Sequence, residues 1–141
     1  MINNIITGIS IALNAAFGDG YEIYSEEIKQ DMKEPCFFIS PVNPSIREYP
    51  GKRYKRENRF MIQYFPESDS AGNAECNHAA EKMIWCLEQI VVQNKPVRVC
   101  NMNHEIVDGI LHFAVDYNFF VHRTKAEEKM ERMQSAMKTK G

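Results

Sequence analysis

Apolar residues recur at helical spacing in two long segments of the chain. Residues 2–17 place them three or four positions apart, with polar residues between them, and Gly18 and Gly20 follow as stop signals. Residues 74–93 carry a second stripe at the same spacing. This second stripe consists of Cys76, Ala80, Met83, Leu87, Ile90 and Val91. Because each stripe occupies one side, the pattern predicts two helices that cover a sheet.

Strand-like patterns lie between and after these helices. Residues 21–24 form a short β-prone piece. Residues 36–39 are apolar at every position, which predicts an inner strand buried on both faces. Residues 59–65 predict a further strand.

The clearest hairpin combines residues 97–107 with residues 110–122. Asp108-Gly109 lies between them and accommodates the positive φ angles of a type I′ turn. The odd positions from 111 to 121 are apolar, whereas several even positions are polar. We therefore expect one face of the second strand to pack on helices and the other to meet a wetter environment.

The order of these elements predicts the fold class α+β. A mixed or antiparallel sheet covered by helices on one face accommodates an N-terminal helix, a central helix, a C-terminal hairpin and a terminal helix. We assign residues 1–123 to one domain, in which the basic segment 43–58 is an extended loop or a flexible hairpin arm. Residues 124–141 are assigned to a helical extension. Its narrow apolar stripe consists of Ala126, Met130, Met133 and Met137.

Composition excludes several classes of protein. The 17 basic and 19 acidic residues give a formal net charge of −2, which is unlike a nucleic-acid coat. Hydrophobic content of 44% and charged content of 26% are ordinary for a globular protein. The N-terminus has neither the pattern of a signal peptide nor that of a membrane span. The four cysteines are widely spaced in apolar segments, so we expect a reducing cytoplasm and no disulfide framework.

Motifs that carry chemistry are sparse. Gly18-Asp19-Gly20 follows a helix rather than a strand, so it does not predict a nucleotide site. Cys76 and His78 diverge by about 200° on a helix and cannot share a metal ion. His112 and Asp116 lie on the polar face of the last strand, roughly 13 Å apart, with His122 further along. We therefore predict no catalytic site, cofactor or metal. An enzyme or ligand-binding domain that uses the His112/Asp116 face is the alternative.

The segment from 43 to 58 concentrates positive charge. Its cations alternate with Tyr49 and Tyr54, and Arg59 follows. The cations are Arg47, Lys52, Arg53, Lys55 and Arg56. This composition suits an arm that is solvated or contacts another subunit, a docking surface for an acidic protein, or contact with nucleic acid. The first of these is the main interpretation, and sequence-specific nucleic-acid binding is not expected.

Trp85 is on the polar side of its predicted helix. It lies about 200° from Met83 at the centre of the buried stripe. Its neighbours on that side are His78, Lys82 and Gln89. An exposed tryptophan is typical of interface hot spots, so a contact with another protomer or protein is the main interpretation. The alternative is that the C-terminal helix covers Trp85 with Met130, Met133 and Met137.

One residue and three structural motifs occur together in the chain. They are Gln30, Pro35-Cys36-Phe37-Phe38-Ile39, Phe60-x-Ile62-x-Tyr64-Phe65-Pro66 and Asp108-Gly109-x-Leu111-His112-Phe113-x-Val115-x-Tyr117. As a set they resemble the phage tail terminator family of contractile-tailed phages and prophages. The resemblance covers residues 1 to about 123.

This resemblance implies a non-enzymatic virion protein. It implies a homo-oligomer, a hexameric ring, that caps the head-proximal end of the tail tube, ends tube polymerisation and offers a docking surface for the neck or connector protein. The implied partners are the tail tube protein and, where the tail contracts, the sheath protein, with assembly in the host bacterial cytoplasm. A phage-tail-like bacteriocin (tailocin) is an equivalent setting. A neck or head-completion protein is the alternative among virion proteins.

Overall fold

The computed structural model of the chain describes residues 2–25, 33–67 and 72–122. These ranges contain two helices that cover one face of a mixed sheet. The helices are α1, Ile2–Phe17, and α2, Gly72–Cys86. The strands are β1, Glu22–Tyr24; β2, Cys36–Tyr49; β3, Arg53–Phe65; β4, Gln89–Val92; β5, Lys95–Arg98; β6, Asn101–Val107; and β7, Ile110–His122. The predicted α+β class is confirmed.

In the described part of the chain, the main sheet has five strands in the order β1-β2-β3-β7-β6, and β4 and β5 form a separate pair. β1 runs parallel to β2, and every other pair is antiparallel. Ile62 of β3 lies opposite both Ile39 of β2 and Phe113 of β7. This register places apolar residues from three strands on one face, which both helices cover.

The core fills the layer between this sheet face and the helices. α1 contributes Ile5, Ile9 and Leu13, all fully buried. Burial of each large apolar side chain stabilises the fold by about 1.5–3 kcal/mol. The sheet contributes Phe37, Ile39, Phe60, Ile62, Tyr64, Leu111, Phe113, Val115 and Tyr117.

Two tyrosine hydroxyls attach α2 to the sheet. The Tyr64 hydroxyl donates to Glu75 Oε2 at 2.9 Å in the first turn of α2, and the Glu67 N–H donates to the same oxygen at 2.8 Å. Burial is the largest cause that raises the pKa of Tyr64, and the hydrogen bond to Glu75 is the second. The buried Tyr117 hydroxyl donates to the Leu87 carbonyl at 2.6 Å, just after the helix ends. Both ends of α2 are therefore fixed over β3 and β7.

The prediction that the central helix continues to residue 93 is wrong. α2 ends at Cys86, and β4 and β5 follow as a hairpin. Gln93 and Asn94 have φ values of 51° and 65°, and Val92 pairs with Lys95. This two-residue loop with positive φ is a type I′ turn, which overrides the helical periodicity. Val91, expected in the buried stripe, is 59% exposed.

The predicted strand 97–107 is also interrupted. β5 pairs with β4, whereas β6 pairs with β7. At the junction the Val99 N–H donates to the Glu88 carbonyl at 2.9 Å, and the Cys100 N–H donates to the Asp116 carbonyl at 2.7 Å. These bonds satisfy the backbone where the chain passes from one sheet to the other.

The basic segment is a hairpin, so the prediction of an extended loop at 43–58 is wrong and the hairpin alternative is observed. β2 and β3 stay paired as far as Tyr49 and Arg53, and Gly51 and Lys52 turn the chain with φ values of 81° and 60°. A bulge between Val42 and Ser45 accommodates Pro44.

Other local predictions hold. α1 has the predicted bounds, and Asp108 and Gly109 both have positive φ. β2 is an inner strand, although Phe38 is only half-buried because it lies on the face opposite the helices. The predicted extension 124–141 lies outside the described residues. No helix in the described ranges is long and apolar enough to cross a membrane.

Gly8 permits the close contact between α1 and β4. A Cβ at this position would lie 2.7 Å from the Val91 carbonyl oxygen. Gly8→Ala should therefore lower the free energy of unfolding by about 1–3 kcal/mol, although alanine is the better helix former. Urea denaturation measures this change. Gly20→Ala is the control, because a Cβ there meets no atom within 4 Å; equal stability of the two variants would contradict the packing.

Candidate protein interface

At the end of the sheet beyond the β2 bulge, the cations of the basic segment lie on two different faces. Residues 45–49, 53–57 and 118–122 form a three-stranded ribbon beyond the bulge. Arg47 pairs with Lys55, which pairs with Phe120; Tyr49 pairs with Arg53, which pairs with His122. Since cross-strand partners point to the same side, these six residues share one face. We call it the basic face: Arg47, Tyr49, Arg53, Lys55, Phe120 and His122.

Aromatic and cationic groups contact each other on the basic face. The Tyr49 and Phe120 rings meet edge to face with centroids 5.5 Å apart, and the Arg53 guanidinium lies 5.3 Å from the Phe120 centroid. Phe120 nevertheless remains 51% exposed. Lys55 Nζ lies 3.8 Å from Glu57 Oε1, a weak surface pair. Positive charge and an accessible ring are therefore presented together.

Two predicted cations do not belong to this surface. Arg56 is on the opposite face of β3, and its buried Nε has no hydrogen-bond partner among the described residues. Arg59 lies nearer the bulge and donates from Nε and a terminal amino group to the Asp116 carboxylate at 2.7 and 3.0 Å. This charge-assisted hydrogen bond raises the pKa of Arg59. Lys52 lies in the turn, beside the basic face.

The alternation of side chains between the two faces of β3 is the sequence signal that separates these cations. Arg53 and Lys55 stand at odd positions and Arg56 at an even one, so a strand separates them and a loop does not. The face of each cation follows only when Pro50-Gly51-Lys52 closes a hairpin that pairs β2 with β3.

A second candidate surface lies on α2. His78, Lys82 and Trp85 follow each other at helical spacing on its exposed side, and Trp85 is 73% exposed. Lys82 Nζ lies 5.1 Å from the Phe17 ring centroid, which connects this side of α2 to the end of α1. Gln89, predicted on the same side, is on β4 because the helix ends earlier.

Within the described residues, nothing covers the indole of Trp85. Met130, Met133 and Met137, which the alternative interpretation places over Trp85, lie outside those residues. The exposed position of Trp85 on the polar side of α2 agrees with the prediction from helical spacing. Its role at an interface stays a prediction.

The polar sheet face does not assemble an acid–base site from His112 and Asp116. His112 Nδ1 lies 3.3 Å from Gln63 Nε2, whereas Asp116 is occupied by Arg59. Each group thus interacts with the adjacent strand rather than with the other. His122 is at the far end of the ribbon. The described ranges contain no cluster of three or more histidine, cysteine or acidic residues that could hold a metal ion.

Comparison with known protein families shows which family the chain belongs to. A family model described as phage tail terminator protein matches residues 4–129. The chain belongs to the phage tail terminator family. It is therefore a structural component of a phage tail, in agreement with the resemblance of its strand motifs. No curated protein matches the chain.

Thiol chemistry offers a test of this tail terminator fold. Burial raises the pKa of both Cys36 and Cys86 to about 11, so at pH 8 each of these thiols is ionised in about one molecule in a thousand. Cys100 is exposed. We expect a disulfide reagent at pH 8 to modify one thiol rapidly in the native protein and all four in denaturant. Cys100→Ser should abolish the rapid phase; rapid reaction of two native thiols would contradict the burial.

Proposed function

We propose that this tail terminator forms a hexameric ring on the head-proximal end of the tail tube. The ring ends tube polymerisation, caps the last sheath ring where a sheath exists, and presents a surface to the neck or connector protein. The match to the tail terminator family over residues 4–129 carries this proposal. Two exposed surfaces on different elements, the basic face and the Trp85 side of α2, suit a subunit that contacts more than one neighbour.

Ring formation needs a heterologous contact that closes, in which one patch of a protomer meets a different patch of the next. We assign the Trp85 side of α2 to this contact. Because Trp85 is 73% exposed, its removal should change the stability of the monomer little. The same side chain contributes strongly to the free energy of association when a partner buries it. The sheet supplies the rest of the contact.

The basic face is assigned to the tube. Arg47 and Arg53 are exposed and have no ion-pair partner among the described residues. Acidic groups on the tube rim would complement them, and charge pairs at such a rim mainly affect the association rate and its salt dependence. Docking should therefore weaken as the ionic strength rises.

Tube polymerisation gives a direct test of the capping function. Adding the protein to its polymerising tail tube protein should shorten the tubes in proportion to the amount added. Electron micrographs should show a ring at one end only. Unchanged tube lengths, together with a ring bound to a neck assembly instead, would replace this proposal with the head-completion alternative.

Loss of charge from the basic face should weaken capping. Arg47→Ser/Arg53→Ser should raise the protein concentration needed to halve tube length, and it should flatten the dependence of that concentration on salt. Lys33→Ser/Arg98→Ser removes the same charge elsewhere and should leave both properties unchanged. Equal behaviour of the two double variants would exclude the basic face from tube docking.

Loss of Trp85 should weaken the ring but not the fold. Trp85→Ala should reduce the free energy of ring formation by about 2 kcal/mol or more. Sedimentation analysis measures the association, and urea denaturation of the monomer should be unchanged. Ile11→Ala serves as the control, because Ile11 is 65% exposed on α1. If Trp85→Ala unfolds the subunit, the tryptophan belongs to the core instead.

A further inference from the structure

Within the described ranges, both outer strands of the ribbon have an unpaired edge. β1 pairs only with residues 36–38 of β2, so the rest of that edge has no neighbouring strand among the described residues. β6 pairs with β7 only as far as Asp116, and beyond this point β3 is the one strand that the structure describes beside β7. Unpaired edges of this kind are templates for pairing with another chain.

A groove follows the unpaired edge of β7. It has a volume of about 650 Å³ and separates this edge from the β4–β5 hairpin. The consecutive residues 119–122 line one side, and Val92, Pro96 and Val97 line the other. Because consecutive strand residues point to opposite faces, a groove lined by all four of them runs along the strand edge rather than over one face.

We propose that residues 45–49 of one protomer enter this groove and pair with residues 118–122 of the next protomer. The sheet then continues from subunit to subunit around the ring. The pairing is heterologous, because the β2 edge of each copy meets the β7 edge of its neighbour, and such a contact can close. This inference rests on the proposed ring and identifies the strands that build it.

The two edges match in length. Pro44 and Pro50 bound the β2 edge, and proline has no N–H to donate to a neighbouring strand. Five residues lie between these prolines, and β7 continues for six residues beyond the end of its pairing with β6 at Asp116. The Cys100 thiol reaches the Asn118 carbonyl at 3.7 Å, which marks where the open part of the β7 edge begins.

The two edges also match in the polarity of their faces. A continued sheet keeps each face on its own side, so Ile46 of one copy meets Phe119 and Val121 of the next. Ile46 is 59% exposed in the single chain. On the other side, Arg47 and Tyr49 join Phe120 of the neighbour, which extends the basic face around the ring. Ile46 thus meets apolar side chains and Arg47 meets an aromatic ring, while the exposed Glu48 shares the side of Ile46.

Cysteine pairs test this pairing in the full chain. In a Cys100→Ser background, Ile46→Cys is combined with Val121→Cys, or with Phe119→Cys for the other register. Mild oxidation of the oligomer should give a ladder of covalent multimers that ends at the ring size. Each single variant should give no ladder, because the contact is heterologous. The control pair Ile11→Cys/Val107→Cys, at exposed positions outside the ribbon, should give none.

A charge at the edge is the second test. Ile46→Lys should lower ring association at least tenfold without changing monomer unfolding, whereas Ile11→Lys should have no effect on association. A ring that forms without a ladder and tolerates Ile46→Lys would overturn the strand pairing and leave the proposed function intact. A protein that forms no ring with or without tubes would overturn both.

The segment after His122 is the competing occupant of the groove. His122 itself lines the groove, and the segment that follows it carries the predicted methionine stripe. Val97→Cys combined with Met133→Cys, again without Cys100, tests it. Our inference predicts no crosslink within one chain. An efficient intrachain crosslink would place that segment in the groove and exclude the neighbouring strand.

Discussion

The mismatch in length between strands and helices determines the form of this protein. β2, β3 and β7 contain 13 or 14 residues, which at about 3.3 Å per residue span roughly 43–46 Å. α1 and α2 contain 16 and 15 residues and span about 23 Å at 1.5 Å per residue. The helices can therefore cover about half of these strands. The covered half is the core, and the other half is the ribbon that carries the basic face.

The sequence predicts the covered half well, because the buried residues there are apolar and recur at regular spacing. Ile5, Ile9 and Leu13 mark one helix face, and the alternation from Leu111 to Tyr117 marks one strand face. Prediction fails where turn geometry competes with periodicity. The stripe through Ile90 continues the helical pattern, but the Gln93-Asn94 turn converts that stretch into a hairpin. The pair Gln93-Asn94 contains no glycine and is therefore only a weak signal for a turn with positive φ. The helical periodicity is the stronger signal in this stretch, and it predicts a helix.

The candidate surfaces differ in how far the sequence defines them. Helical spacing alone places Trp85 on the exposed side of α2, because one face of that helix is fully apolar. The basic segment shows only that cations are concentrated, since face assignment needs the strand register. Once the register is known, Arg47 and Arg53 separate from Arg56, which lies on the opposite face. Arg59 shares their face but is paired with Asp116. Among the described residues the same register leaves two strand edges unpaired, and the proposed ring would complete them with strands of neighbouring subunits.

The mass of the assembled protein tests the central claim most directly. Light scattering would measure the purified protein alone and with its tail tube protein, at low and at moderate salt. The account predicts a closed ring, formed either alone or on tubes, whose binding to tubes weakens as salt increases. A monomer or dimer that is indifferent to tubes at both salt concentrations would contradict it.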